Sequence, residues 1–286
     1  MADTSLPSTV GVLGGGRMGA GIAHAFLTSG SQVVVVERDT ESATAARDRI
    51  LRDVSGSVER GKVDGTVDEL AANLSVTTDH GDFATAGLVI EAVPEDFDLK
   101  VSSLQAVESH LGDDAYLATN TSSMSVNGLA EQLQRPQQFC GLHFFNPVPA
   151  SKLVEVIIGE QTSDQLKALA AQWVEGIGKT AVTINDAPGF ASSRLGVALG
   201  LEAIRMVEEG VASAEDIDNA MTLGYKHPIG PLALTDIVGL DVRLGVAEYL
   251  TDKLGPRFEP PQLMRDMVER GELGRKSGKG FYTYDD

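Results

Sequence analysis

Short apolar runs alternate with longer stretches of mixed polarity through most of the chain. Thr9–Leu13 is one such run, followed at once by the glycine-rich segment GGGRMGAGIA and a helical stretch to about Ser29. Gln32–Val36 ends in four consecutive valines. A β-branched run of that kind, bounded by turn and charged residues, predicts a strand buried on both faces, as in parallel sheets. Leu88–Val93, Tyr116–Ala118 and Gln138–Phe145 are further strand-like runs, with helical segments such as Leu99–Leu111 between them. Strand and helix in alternation predict a doubly wound α/β domain.

Past Asn185–Gly189 the pattern changes. Ser192–Glu209 reads as a helix whose opening turns, with Leu195, Val197, Leu199 and Leu201, are apolar on nearly every side. That predicts burial against several neighbours, between domains or at a subunit interface. Ser213 with Asp216 resembles a capping box, and helices are expected over Asp241–Leu254 and Pro261–Arg270. The domains expected are therefore an α/β, doubly wound one over residues 1–186 and a smaller all-helical C-terminal one over residues 187–286.

Charge narrows the partners. Forty-one acidic residues stand against 23 basic ones, a net charge of −18. Such a field repels duplex nucleic acid and anionic membranes; a polyanionic substrate would need a local basic patch, and the plain alternative is a soluble, salt-adapted surface. The polar start MADTSLPST lacks the basic and apolar regions of a signal peptide, and no apolar stretch approaches the roughly 18 residues of a membrane span. The lone cysteine, Cys140, has no partner for an intramolecular disulfide, so a cytoplasmic location is expected.

Gly14, Gly16 and Gly19 form GxGxxG directly after a strand and at a helix start. The first permits the tight turn, the second lets a pyrophosphate reach the backbone, and the third brings helix onto strand. The helix N-terminus, with Arg17 and Met18 in its opening turn, supplies N–H donors for the phosphates. Glu37 closes the valine strand, 18 residues after Gly19. A carboxylate there accepts from ribose hydroxyls and repels a 2′-phosphate, which points to NAD. The neighbouring Arg38 is a position from which a 2′-phosphate could be received, against which Glu37 argues.

Ligands of open α/β sheets sit at the strand carboxyl ends, and here those ends carry Glu37, Pro94–Asp96, Asn120–Ser123 and His143–Pro147. An alcohol dehydrogenase needs a base near neutrality, for which histidine is the usual choice. If Gln138–Phe145 and Lys152–Ile158 form a hairpin centred on Pro149, His143 stands opposite Glu155 on one face. A carboxylate there would orient the ring and stabilise its charged form.

The motifs GGGRMGAGIA, EAVPED, NTSS, HFFNPVP, KLVEVI and PGF, then GYKHPIGP, DIVGLD and GRKSGKGFY, closely resemble the 3-hydroxyacyl-CoA dehydrogenases, especially bacterial 3-hydroxybutyryl-CoA dehydrogenases, from about Val10 to Tyr284. The resemblance implies a Rossmann domain plus a helical dimerisation domain, a homodimer, and NAD-dependent interconversion of (S)-3-hydroxyacyl-CoA and 3-oxoacyl-CoA. It implies His143 as general base or acid with Glu155 as its partner, and a Ser122 hydroxyl touching both substrate and cofactor. It places Glu95, Lys100, Asn146 and Lys276 at cofactor-contacting positions; Lys100 read alone would be a solvated helix lysine. Arg52, Arg60 and Lys62 fall where the family receives the CoA phosphates and adenine. In PGFASSR, Ser193 stands where the family commonly has an asparagine that helps hold the substrate.

Other residues are set aside. Cys140, three before His143, falls on the opposite strand face. His24 reads as structural, and His80, His110 and His227 lack metal-ligand spacing, so no metal is expected. Two rival readings remain: an NAD-linked dehydrogenase of free hydroxy acids or sugar acids, and a non-catalytic NAD-binding relative. Against the hydroxy-acid enzymes, the Ser192–Glu209 helix lacks the lysine they use; against the non-catalytic relative stand intact His143, Glu155 and Ser122.

Overall fold

A computed structural model describes residues 6–284; the first five residues of the polar start lie outside the described residues. The chain divides into two compact units, Met1–Ala187 and Pro188–Asp286. The first unit runs β1 (Thr9–Leu13), α1 (Arg17–Leu27), β2 (Gln32–Val36), α2 (Thr40–Glu59), α3 (Val67–Ala71), β3 (Leu74–Thr77), β4 (Leu88–Glu91), α4 (Phe97–Glu108), β5 (Tyr116–Thr119), α5 (Val126–Ala130), β6 (Phe139–Phe144), β7 (Leu153–Ile158), α6 (Asp164–Gly176) and β8 (Thr180–Asn185). The strands form one sheet in the order β3-β2-β1-β4-β5-β6-β7-β8. All neighbours are parallel except β6 and β7, which are antiparallel. This is the doubly wound sheet expected from the alternation of runs.

The sequence pattern does not announce β3 and β8. Both are edge strands, and β8 is exposed or half-buried along its whole length, so neither needs an apolar run. β4 ends at Glu91, two residues before its apolar run does, because the chain turns so that the Val93 amide donates to the Glu91 carboxylate at 2.7 Å. α4 begins two residues early because Asp96 caps it, accepting from the Leu99 amide at 2.9 Å.

The sheet has two unlike faces. Cys140, Leu142 and Phe144 of β6 and Val154, Val156 and Ile158 of β7 join an aliphatic core with Ile22 and Phe26 of α1, Ile50 and Val54 of α2, and Leu166 and Trp173 of α6. Alternate residues point the other way, which puts Gly141, His143, Glu155 and Ile157 on the opposite face. The ladder aligns Glu91 with Thr119 and Thr119 with Gly141, so the fully buried Glu91 belongs to the face of His143.

The second unit is helical: α7 (Ser192–Glu208), α8 (Ala214–Asn219), α9 (Pro231–Val238), α10 (Leu240–Leu254) and α11 (Gln262–Glu269). Its core gathers Val197, Leu201, Ile204, Ile217, Leu232, Leu250 and Met264. Ser213 caps α8 by accepting from the Asp216 amide, and its hydroxyl donates to the Asp216 carboxylate. The GYKHPIGP segment runs into α9, whose Leu232 and Ala233 amides donate to Asp218. Asp236 is likewise buried and accepts from the Phe281 and Tyr282 amides. A Cβ at Gly280 would collide with that carboxylate, which accounts for the glycine in the tail motif. Among the described residues no helix is long and apolar enough to cross a membrane.

Candidate active site

β1 delivers the chain to Gly14, whose φ of 88° lies in the region that favours glycine. A Cβ at Gly16 would meet nothing within 4 Å, so the backbone there is open to a ligand. A Cβ at Gly19 would strike the Gly14 carbonyl, so α1 packs on the loop only with glycine there. A cavity of about 780 Å³ opens over this loop, lined by Gly14, Gly16, Arg17, Met18, Glu37 and Arg38 among others. Glu37 is fixed at its edge by accepting from the Gly15 amide at 2.6 Å. Arg38 turns to Asp39, 3.0 Å away, with its side chain largely in solvent. Open glycine backbone, a helix N-terminus and a strand-end carboxylate around one cavity fit a dinucleotide with an unmodified ribose.

Sequence reasoning missed part of this cavity. Ser42, Ala45 and Arg49 of α2, His80 and Leu99 also line it, and Arg49 donates to the Gly15 carbonyl at 2.7 Å. The spacing 42, 45, 49 on one helix face was the available signal.

β6 and β7 pair so that His143 faces Glu155, the register a hairpin about Pro149 gives. His143 Nδ1 lies 2.8 Å from Glu155 Oε2; the two residues are 7% and 1% exposed. The Phe145 ring packs on the imidazole with centroids 4.4 Å apart. With a proton on Nδ1 the ring donates a hydrogen bond to Glu155, and Nε2 is then its basic nitrogen. Cys140 lies in the aliphatic core, where burial pushes its thiol up to about 12.

Beside this pair a polar network ties three strand ends together. Glu91 accepts from the Thr119 hydroxyl at 2.6 Å and from Lys100 at 2.8 Å. Lys100 is therefore no solvated helix lysine: its side chain is 1% exposed. It also pairs with Glu95 at 3.3 Å. Glu95 Oε1 accepts from the Thr121 hydroxyl at 2.5 Å and the Ser122 amide at 2.8 Å. Burial opposes the charge on Glu95, but Lys100 and these hydrogen bonds outweigh it and hold the carboxyl below its ordinary value. Asn120 accepts from the Phe144 amide at 2.9 Å, fastening the same loop to the end of β6.

A second cavity, of about 630 Å³, is lined by Arg17, Arg49, Arg60 and Asn146 with Asp53 as its acid. Three guanidinium groups against one carboxylate make a local basic patch in an acidic chain. Arg52 and Lys62 are exposed and outside its lining. Ser193 and Lys276 belong to the second unit. Ser193 is the second residue of α7, and Lys276 pairs with Asp241 at 2.6 Å.

A doubly wound sheet, a dinucleotide cavity and a histidine–carboxylate pair near the strand ends define an NAD-dependent oxidoreductase. Residues 9–187 match the family described as "3-hydroxyacyl-CoA dehydrogenase, NAD binding domain", and residues 189–284 the corresponding C-terminal domain. The chain belongs to the 3-hydroxyacyl-CoA dehydrogenase family. It is 42% identical to a "Probable 3-hydroxybutyryl-CoA dehydrogenase" of Deinococcus radiodurans over 96% of this chain and 99% of that one. It is 42% identical to a "3-hydroxybutyryl-CoA dehydrogenase" of Mycobacterium tuberculosis over 96% and 98%. A solved (S)-3-hydroxybutyryl-CoA dehydrogenase of Ralstonia eutropha superimposes with a TM-score of 0.93 at 39% identity, covering 98% of this chain and all of that one.

Proposed function

We propose that the enzyme oxidises (S)-3-hydroxyacyl-CoA thioesters, short-chain ones such as 3-hydroxybutyryl-CoA first, to 3-oxoacyl-CoA, and catalyses the reverse. The observation that carries this reading is the buried His143–Glu155 pair. Bound NAD supplies the hydride acceptor. As hydride leaves C3 of the substrate, His143 Nε2 takes the proton of the 3-hydroxyl, and in reduction it returns that proton to the oxygen. Glu155 holds the ring by its Nδ1–H and stabilises the imidazolium that forms. The Ser122 hydroxyl is a second donor to the oxygen on which charge develops. Ser193 assists through its own hydroxyl, from a shorter side chain than the family's asparagine.

In this reading residues 1–186 form the NAD-binding domain, and residues 187–286 are the helical substrate and dimerisation domain. Gly14, Gly16, Arg17, Met18, Gly19 and Glu37 hold the adenosine and pyrophosphate half. Glu95, Lys100, Ser122, Asn146 and Lys276 serve the nicotinamide half. The arginine-lined cavity supports reception of CoA phosphates by Arg60; Arg52 and Lys62, exposed and outside that lining, are assigned the same role on the resemblance alone. A homodimer is favoured by Leu195, Ile237 and Val242 of the second unit, which are 71%, 51% and 49% exposed in the single chain. Sedimentation should give about twice the chain mass, and a monomer would contradict it. The reducing environment a lone buried cysteine tolerates supports a cytoplasmic home.

The test is reduction of acetoacetyl-CoA with NADH and, separately, NADPH. Turnover with a clear NADH preference is the expected result. Turnover of a free hydroxy acid or sugar acid, with none of the thioester, would overturn the proposal.

A further inference from the structure

Arg17 and Arg49 line both cavities of the first unit, and α2 forms a wall common to the two. Its Ser42 and Ala45 face the dinucleotide cavity, while Asp53 and the capping residue Arg60 face the arginine-lined one. Arg49, between them on the helix, reaches each. A guanidinium has five N–H donors in a fixed plane. One Nη1 donor of Arg49 goes to the Gly15 carbonyl at 2.7 Å. Among the described residues no acid comes within ion-pair distance of Arg17, Arg49 or Arg60, although the chain has 41 acidic residues against 23 basic ones. Even Asp53, the acid of the lining, pairs with none of the three. Three guanidinium groups held free of carboxylates around one opening are set to receive a polyanion.

We infer that Arg49 is a specificity-determining residue that serves both ligands. Tied to the glycine loop through Gly15, it turns its remaining donors to the phosphates of the substrate's coenzyme A half as well as to the dinucleotide. This rests on the reading of the substrate as a CoA thioester. Arg49 and Arg60 together then set the preference for a thioester that carries the nucleotide end over one that stops at pantetheine. A purely structural Arg49 would act otherwise. Its loss would loosen the Gly15 loop and weaken NADH binding, but it would treat alike two thioesters that differ only in phosphates remote from the reacting carbon.

The experiment compares reduction of acetoacetyl-CoA with that of acetoacetyl-pantetheine, which has the same reacting group and lacks the nucleotide phosphates. The wild type, Arg49→Gln, Arg49→Lys and Arg60→Met are measured at saturating NADH, with NADH affinity by fluorescence titration. Glutamine keeps a donor for the Gly15 carbonyl and removes the charge; lysine keeps the charge. Arg49→Gln should lower kcat/KM on acetoacetyl-CoA by roughly 10- to 100-fold, mostly through KM, the scale of a charge-assisted hydrogen bond. On acetoacetyl-pantetheine the change should be much smaller. Arg49→Lys should recover part of that selectivity. NADH affinity should fall several-fold in Arg49→Gln and stay native in Arg60→Met, which should show the loss of selectivity alone. Equal losses on the two thioesters, or a native ratio between them, in Arg49→Gln would overturn the inference. So would native NADH affinity in that variant. A wild-type enzyme that reduces neither thioester would instead remove the reading of the substrate on which this one rests.

Discussion

β6 and β7 carry two faces made from alternate residues of the same strands, and both are buried. On one face Cys140, Leu142 and Phe144 meet Val154, Val156 and Ile158 with nothing ionised among them; a thiol there is lifted out of the range of nucleophilic use. On the other, His143 meets Glu155, and one row away Glu91 meets Lys100. Burial alone therefore does not separate structure from chemistry in this sheet. What separates them is whether a buried ionisable group has a partner that keeps it chargeable. Antiparallel pairing of β6 and β7 is what lets a histidine and a glutamate twelve residues apart stand opposite each other.

The comparison predicts that mutations on the two faces fail in different ways. Leu142→Ala on the aliphatic face should give the largest loss of stability, about 2–5 kcal/mol, while the folded fraction keeps native kcat. Cys140→Ala beside it removes one buried atom and should cost less, again with kcat intact. Denaturant unfolding together with active-site-normalised kinetics checks both. A loss of kcat without loss of stability in either variant would mean the aliphatic face reaches into the chemistry.

The parts of this arrangement legible in the sequence are those with a strong local cause. Four valines, a glycine loop and a strand-end acid located the cofactor cavity, and period-two alternation located His143 opposite Glu155. The rest depends on contacts that close over long sequence separations. Glu91 lay inside the Leu88–Val93 run with no role assigned to it, yet its partners are Lys100 and Thr119, nine and 28 residues away. Arg49 enters the cavity from α2, 34 residues beyond the Gly15 carbonyl it holds. β3 and β8 escaped notice because edge strands need no continuous apolar run, and α9 because its N-terminus is capped by the distant Asp218.

The central claim is that His143 moves the proton and Glu155 holds it ready. It is tested most directly by kcat of acetoacetyl-CoA reduction in His143→Ala, with NADH affinity and melting temperature measured on the same preparation. The account predicts a fall of roughly 10²–10⁴-fold in kcat, NADH binding and stability near native, and a smaller fall in a parallel Glu155→Gln enzyme. A His143→Ala enzyme that binds NADH and turns over at near-native kcat would contradict it.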